Sequence, residues 1–271
     1  MIRIFKQIPL MRQTYRYFQE LEYERRFAGD CYGCFRGVYK TFEEAIQSVP
    51  NTNNKSIGYD NAELAKDYQQ SIELETTSHS YNYPILFWLN SIFNNYQNNL
   101  SIFDFGGNVG IHFYTYSNHL KYPSNLNWIV CDLPAIIKAG KELAEQRGCS
   151  NLCFTDKFED ANKKDIFLAS GSIQYVEDLS TSLSSLAEKP QHLLLNILPL
   201  YDGAKFVTLQ NGGRVFYPSY VFNKGSFLEG LSQLGYEMID IWRDSYCLCT
   251  IPFHPEKSGS FYHGIYFKLK S

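Results

Sequence analysis

The chain has 271 residues, of which 44% are hydrophobic, 16% aromatic and 20% charged, and this composition excludes a disordered or fibrous protein. Its formal net charge of -3 disfavours a nucleic-acid partner, because proteins that bind nucleic acid present a basic surface. No stretch approaches the ~20 apolar residues that span a bilayer, and the opening residues are too polar for a signal peptide. We therefore expect a cytoplasmic protein without a transmembrane segment.

The cysteines predict neither a disulfide framework nor a metal site. They number seven and are scattered, so we expect reduced thiols. The pair Cys31 and Cys34 has its nearest counterpart in Cys247 and Cys249, whose spacing suits alternate faces of a strand better than a zinc site. No spacing of carboxylates and histidines indicates magnesium or iron. The sequence therefore predicts no metal.

Residues 1–99 predict a helical N-terminal region that includes a lid. Apolar residues at helical spacing up to about Arg26 indicate an amphipathic helix, which we expect to pack on its own domain; docking on a membrane face or a partner is the alternative. Ala62 to Leu74 predicts a second helix. Pro84 followed by apolar residues predicts a third, buried helix, because proline is favoured in a first turn.

From Leu100 onward, short apolar strands alternate with helices. The strand candidates are SIFDF, NWIVCDL, NLCFTD, DIFLAS and HLLLNIL, and the helix candidates are IHFYTYSNHL, PAIIKAGKELAEQRG and Ser180 to Lys189. Such alternation predicts an α/β fold with a doubly wound, Rossmann-like, mostly parallel sheet over residues 100–271. An Asn-Gly-Gly turn predicts a hairpin insertion near 205–218. GSFLEGLSQLGY predicts a helix, and EMIDIW, YCLCTIPF and GIYFKLK predict late, antiparallel strands.

A glycine-rich turn after the first of these strands carries the chemistry. Glycines at a strand-to-helix turn allow a ligand to lie against the backbone. The dinucleotide fingerprint would need glycine at position 105, where the sequence has Phe105. An acidic residue followed by glycines at alternate positions is typical of S-adenosylmethionine sites and fits Asp104, Gly106 and Gly110, with Gly107 beside them and Asn108 in the middle position. Asparagine is the residue best able to replace glycine in a left-handed conformation.

Two later acidic residues are candidates for nucleoside contacts. Asp132 ends the second strand, where a carboxylate can accept hydrogen bonds from both ribose hydroxyls, with Leu133 beside it. Asp156 follows the third strand and is expected near an adenine amino group, with Phe158 as a ring neighbour. A helix cap or a solvated loop is the alternative for Asp156.

The end of the fourth strand is the expected boundary between cofactor and acceptor, because ligands of open α/β sheets bind at the carboxyl ends of the strands. Ser170 and Gly171 are predicted to contact the cofactor. Ser172, Gln174 and Tyr175 are predicted to contact the acceptor, Gln174 and Tyr175 with catalytic roles. A turn that satisfies its own backbone is the alternative.

The remaining predicted site residues surround this boundary. His112, directly after the glycine turn, is the best-placed general base, with a structural contact or a contact to a ligand carboxylate as alternatives; His79 and His263 are weaker candidates. Tyr59 in the GYDN loop is expected to close over the cofactor. The predicted substrate contacts are Tyr81, Tyr83, Asn196, Gln210, Tyr217 and His263.

Several segments together carry a family resemblance. They are FRGVYKTFEEA, GYDN, YPILFWL, FDFGGNVGIHFY, WIVCDLPAIIKAGKEL, DIFLASGSIQY, LLLNILPL, TLQN and GYEMIDIW, spread from about Phe35 to Lys268. The chain resembles a family of predicted bacterial methyltransferases often encoded among genes for capsule and O-antigen polysaccharides. The resemblance implies a class I methyltransferase fold, S-adenosylmethionine as cofactor, and a small-molecule or glycan substrate such as a sugar or nucleotide sugar of surface polysaccharide biosynthesis.

Two other functions stay open at the level of sequence. A noncatalytic nucleoside-binding or scaffold protein of a polysaccharide assembly complex would keep the same fold. An NAD-dependent sugar oxidoreductase is weaker, because Phe105 breaks its fingerprint and no Tyr-x-x-x-Lys pair follows.

Overall fold

The computed structural model describes residues 9–51, 55–74, 79–96, 99–244, 248–259 and 262–270. The chain divides into two compact units. The first unit comprises Met1–Gly58, Phe206–Ser219 and Cys249–Gly259, and the second comprises Tyr59–Lys205, Tyr220–Leu248 and Ser260–Ser271. The boundary at residue 99 that the sequence suggests stays a prediction.

The described helices are α1 (Pro9–Ala28), α2 (Phe42–Gln47), α3 (Ala62–Leu74), α4 (Tyr83–Asn95), α5 (Ile111–Ser117), α6 (Pro134–Gln146), α7 (Leu179–Ser184) and α8 (Lys224–Gln233). The described strands are β1 (Cys34–Tyr39), β2 (Ser56–Ile57), β3 (Leu100–Phe105), β4 (Leu126–Cys131), β5 (Leu152–Thr155), β6 (Ile166–Ser170), β7 (His192–Tyr201), β8 (Phe206–Asn211), β9 (Val215–Asn223), β10 (Tyr236–Arg243) and β11 (Tyr262–Leu269). No helix in these described ranges is long and apolar enough to cross a membrane.

The first unit is built on a small sheet. Strand β1 runs antiparallel to β8, and β2 pairs in parallel with the start of β9. Phe27 of α1 is fully buried against Leu209 and Phe216, and the two phenyl rings lie 5.4 Å apart. At the Asn-Gly-Gly turn between β8 and β9, the Gly212 amide donates to the Val215 carbonyl, and Gly213 has a φ of 81°. The C-terminal end of α1 therefore packs on this sheet, whereas Tyr15, Phe18 and Leu21 of the same helix are exposed. The prediction that the apolar face of this helix packs on its own domain does not hold for these three residues.

One cysteine prediction is wrong. Cys31 and Cys34 form a disulfide in the turn between α1 and β1, so this pair is oxidised rather than reduced. The odd total of seven argued against a framework of several bridges, but it does not exclude a single local bridge. Cys131, Cys149, Cys153 and Cys249 are free thiols, and Cys247 lies outside the described residues.

The second unit contains the predicted doubly wound sheet. Strands β5, β4, β3, β6 and β7 lie side by side in that order, and all of them are parallel. Strand β11 then pairs antiparallel with β7, and β10 pairs antiparallel with β11. The central strands β3, β6 and β7 are almost entirely buried on both faces, which explains their largely apolar sequences. The fold is thus the Rossmann-like α/β architecture expected from the sequence.

Two secondary-structure predictions need correction. The helix predicted over Ser180 to Lys189 is the shorter α7, which begins after Asp178, whose side chain accepts the Ser180 amide. YCLCTIPF was predicted as a strand, but in its described residues Cys249 forms only an isolated bridge with Gly259. A single bridge provides no ladder partner for the rest of the segment.

Helix α6 packs on the sheet through a glycine. A methyl group on Gly140 would overlap the Phe154 ring of β5. In an open helical position, replacement of glycine by alanine stabilises a protein by about 1 kcal/mol. Gly140 therefore marks a close approach between helix and strand.

We expect Gly140→Ala to destabilise the protein by about 1 to 3 kcal/mol, because overpacking forces the Phe154 ring to move. Urea unfolding followed by circular dichroism measures the change. Gly225→Ala is the control: it lies in α8, and its added methyl meets only the Asn223 side chain at 3.5 Å. A Gly140→Ala protein as stable as Gly225→Ala would contradict the close packing.

Candidate functional site

A cavity of about 430 Å³ lies in the second unit, beside the turns that follow β3, β4, β5 and β6. Its volume is that of a small-molecule site. The lining combines apolar and neutral polar side chains with two carboxylates. It consists of Tyr59, Tyr68, Phe105, Gly106, Gly107, Asn108, Ile111, His112, Cys131, Asp132, Leu133, Ile136, Asp156, Ser170, Gly171, Ser172, Tyr175 and Val176.

The glycine turn has the left-handed conformations that its sequence predicts. Gly106 and Gly110 have φ values of 69° and 96°, and Asn108 has a φ of 59°. The Asn108 side chain stabilises this conformation by accepting the Val109 amide at 2.8 Å. Asparagine therefore replaces glycine here without changing the path of the turn. Gly110 is the N-cap of α5 and does not line the cavity.

Gly106 and Gly107 have no room for a side chain, because neighbouring side chains of the same unit already fill the space beside them. A methyl group on Gly106 would overlap Ser172, whose hydroxyl donates to the Phe105 carbonyl at 2.6 Å. A methyl group on Gly107 would overlap the Asp104 carboxylate. The turn is thus packed from two sides by the protein itself.

Asp132 extends from the end of β4 to the glycine turn. One carboxylate oxygen accepts the Asn108 amide and the other accepts the Leu133 amide, each at 2.8 Å. Burial raises the pKa of Asp132 to about 6, and nearby Asp104 adds to the shift, while the two backbone amides and His112 oppose it. The carboxylate is held in one orientation on the cavity wall.

Asp104 lies beneath the turn and is fully buried, outside the cavity lining. Its carboxylate oxygens lie 3.0 and 3.1 Å from His112 Nδ1, and one of them accepts the Trp128 indole N–H at 3.1 Å. His112 lines the cavity and stacks on Tyr116. The structure therefore connects the predicted cofactor residue Asp104 to the cavity through the predicted base His112.

The N-terminal part of this unit contributes Tyr59 to the cavity. Its hydroxyl is 2.9 Å from the Tyr175 hydroxyl, and the two rings pack edge to face. Asp60 accepts the Ala135 amide at the start of α6, and Asn61 caps α3. These contacts fix the GYDN segment beside the cavity, where the sequence predicts a lid.

Most predicted cofactor residues meet at this cavity. Those lining it are Tyr59, Gly106, Gly107, Asn108, Asp132, Leu133, Asp156, Ser170 and Gly171, together with His112, Ser172 and Tyr175 from the predicted catalytic and substrate groups. Phe158 does not line it, because its ring packs on Phe103, Phe105 and Phe167. The roles of all these residues stay predictions.

Several predicted acceptor residues have structural contacts elsewhere. Gln174 is buried, and its side-chain amide donates to the Gly171 carbonyl. Asn196 is buried too: it donates to the Tyr81 carbonyl and accepts the Trp242 indole N–H. These buried contacts agree with the structural alternative for Gln174.

The other predicted substrate residues are also absent from the cavity lining. Tyr81 stacks on His79, and Tyr83 begins α4 with its side chain exposed. His263 lies on β11 opposite Arg243 and Leu198. Gln210 and Tyr217 belong to the first unit.

Sequence reasoning missed six lining residues: Tyr68, Phe105, Ile111, Cys131, Ile136 and Val176. Cys131, Ile111 and Ile136 lie at a strand end or in a first helical turn, so the rule that ligands bind at the carboxyl ends of strands would have found them. Tyr68 is inside α3 and has no local signal. Within the described parts of the chain, no group of three or more His, Cys, Asp and Glu residues is arranged to hold a metal.

Comparison with solved structures shows the fold class. OxaC, crystallised with sinefungin and meleagrin, aligns over 78% of this chain and 53% of its own at 13% identity, with a TM-score of 0.51. A proposed sarcosine dimethylglycine methyltransferase from Galdieria sulphuraria aligns over 75% of this chain and 97% of its own at 10% identity, with a TM-score of 0.50. The chain spans about half the length of OxaC. The chain has the Rossmann-like methyltransferase fold.

At the level of sequence the comparisons give no assignment. No family model matches the chain, and no curated protein matches it.

We expect Gly106→Ala to destabilise the protein more than Gly148→Ala. Both glycines have positive φ, at 69° and 64°, so both variants share the cost of a left-handed alanine. Only the methyl at position 106 meets Ser172, and this overlap adds about 1 to 3 kcal/mol. Urea unfolding of both variants measures the difference. Equal losses would mean that the turn has room for a side chain.

Proposed function

We propose that the protein is an S-adenosylmethionine-dependent methyltransferase whose cofactor binds in this cavity. The Asp132 carboxylate carries the proposal. Each of its oxygens accepts one backbone amide, and an ionised carboxylate has about four acceptor positions, so both oxygens can accept one further hydrogen bond. Two vicinal ribose hydroxyls provide the two matching donors.

The rest of the lining fits the other parts of this cofactor. Leu133, Ile111 and Ile136 provide apolar surface for a purine ring, and Asp156 provides an acceptor for its amino group. Two carboxylates in the lining suit a cofactor that carries a sulfonium cation. S-Adenosylmethionine supplies an activated methyl group, so the protein mainly has to align it with the acceptor.

The charge of the lining disfavours a dinucleotide. Among the residues that line the cavity there is no lysine or arginine, whereas Asp132 and Asp156 are both acidic. The pyrophosphate of NAD would bring negative charge beside these carboxylates. Phe105 also occupies the position where the dinucleotide fingerprint has its first glycine.

For the acceptor, we propose a sugar, nucleotide sugar or glycan intermediate of surface polysaccharide biosynthesis. The family resemblance supports this class. Ser170, Ser172, Tyr59 and Tyr175 add hydroxyl groups to the lining, and hydroxyls both donate and accept hydrogen bonds with a sugar. The aromatic rings of the two tyrosines suit packing against a pyranose face.

Isothermal titration calorimetry tests the cofactor class directly. We expect S-adenosylhomocysteine to bind with a single site per chain and NAD to give no heat of binding. Tight binding of NAD without binding of S-adenosylhomocysteine would overturn the proposal. Adenosine serves as the control for recognition of the nucleoside alone.

The pKa of Asp132, about 6, predicts how affinity depends on pH. A protonated carboxyl cannot accept both ribose hydroxyls, so the ionised form binds more tightly. Affinity for S-adenosylhomocysteine should be nearly constant above pH 7 and about tenfold weaker at pH 5, one unit below this pKa. Calorimetry between about pH 5 and about pH 8, on either side of this pKa, measures the dependence.

Asp132→Asn is the matched variant for the pH series. It should bind more weakly at pH 7 by roughly 10-fold to 100-fold, since a charge-assisted hydrogen bond contributes about 1.5 to 3 kcal/mol. Its affinity should change little between pH 5 and 7, because the titrating group is gone. A variant that keeps the wild-type pH profile would remove Asp132 from the ribose site.

A further inference from the structure

His112 is the one residue of the cavity lining, within the described chain, whose side chain can carry a positive charge near neutral pH. The other charged groups of the lining are the carboxylates of Asp132 and Asp156. The methionine part of S-adenosylmethionine ends in an α-carboxylate. A buried carboxylate needs a cation or strong hydrogen-bond donors. Only His112 offers such a cation among the lining side chains.

Asp104 favours the charged form of His112. Its carboxylate is fully buried, and its oxygens lie 3.0 and 3.1 Å from the ring nitrogen Nδ1. The Trp128 indole N–H adds one neutral hydrogen bond. A buried carboxylate paired with a neutral imidazole would keep an uncompensated charge, whereas an imidazolium neutralises it.

Of the other groups around the imidazole, Asp132 also favours its charged form, and Tyr116 does not oppose it. Asp132 follows β4 and interacts electrostatically with the ring. Tyr116, one turn further along α5, stacks on it at 5.5 Å; burial raises the pKa of Tyr116 well above its usual value, so its phenol stays neutral. The ring thus faces two carboxylates and a neutral tyrosine.

We propose that His112, held as an imidazolium by Asp104, binds the α-carboxylate of S-adenosylmethionine. In this role Nδ1–H donates to Asp104, and Nε2–H would donate to the carboxylate of the cofactor. Asp104 is then a positioning residue beneath the turn rather than a direct cofactor contact. An imidazolium already carries its proton and cannot act as a general base, so this role replaces the catalytic one that the sequence favours.

This inference rests on the proposed function, and two probes separate it from that function. S-Adenosylhomocysteine and 5′-methylthioadenosine share the nucleoside and the thioether sulfur. Only the first carries the amino-acid group with its carboxylate. Calorimetry of both probes at neutral pH therefore isolates the contribution of that group.

His112→Gln keeps a hydrogen-bonding side chain and removes the charge. We expect it to bind S-adenosylhomocysteine roughly 10-fold to 100-fold more weakly, the range for one charge-assisted hydrogen bond. Its affinity for 5′-methylthioadenosine should stay within about twofold of wild type, since this probe has no carboxylate. Asp104→Asn should also weaken binding of S-adenosylhomocysteine relative to 5′-methylthioadenosine, because a neutral amide at position 104 no longer favours the imidazolium.

His119→Gln is the control, because His119 is exposed just beyond α5; it should change neither affinity. If His112→Gln weakens the affinities for both probes equally, or changes neither affinity, the inference is wrong and the cofactor proposal still stands. Wild-type protein that binds neither probe would overturn both. Should Asp104→Asn fail to fold, as judged by circular dichroism, His112→Gln still decides the result.

Discussion

The hydrogen bond from the Asn108 amide to the Asp132 carboxylate connects the glycine-rich turn to the acidic residue that follows the neighbouring strand. It joins the turn after β3 to the end of β4, the strand beside it in the sheet. Asn108 can present its amide to this carboxylate because it has a φ of 59°, which its own side chain stabilises. The shape of the cavity wall therefore depends on a left-handed residue held by a carboxylate from the neighbouring strand.

The features predicted well are those whose causes are local. The central strands β3, β6 and β7 are almost entirely buried, so their sequences are largely apolar, and glycines or prolines mark the helix boundaries near the parallel strands. Asp132 follows from the same logic, since the end of a parallel strand always faces the ligand edge of the sheet. Asn108 was predictable because few residues other than glycine tolerate its conformation.

The features missed depend on partners far along the chain. Asn196 was predicted to end its strand, but β7 continues to Tyr201. The Asn196 side chain bonds to Tyr81 and Trp242, which lie 115 and 46 residues away in sequence. Phe158 packs into an aromatic cluster because β3 and β6 bring Phe103 and Phe167 beside it. No periodicity or spacing reports such contacts. By contrast, α2 had a readable signal in the sequence Thr-x-x-Glu: the Thr41 hydroxyl accepts the Glu44 amide, and the Glu44 carboxylate accepts the Lys40 amide.

Asp104 shows how stability and function compete in this fold. A buried carboxylate contributes little to stability, and apolar groups of similar volume often replace buried ion pairs without loss. Here the carboxylate is enclosed by Trp128, His112 and the backbone of Gly107, where any larger residue would overlap it. The glycine at position 107 thus makes room for a charge beneath the turn. The Asp104 carboxylate is costly to bury, and its partner is the His112 imidazole at the cavity wall. This pair is therefore explained better by the chemistry of the cavity than by the stability of the core.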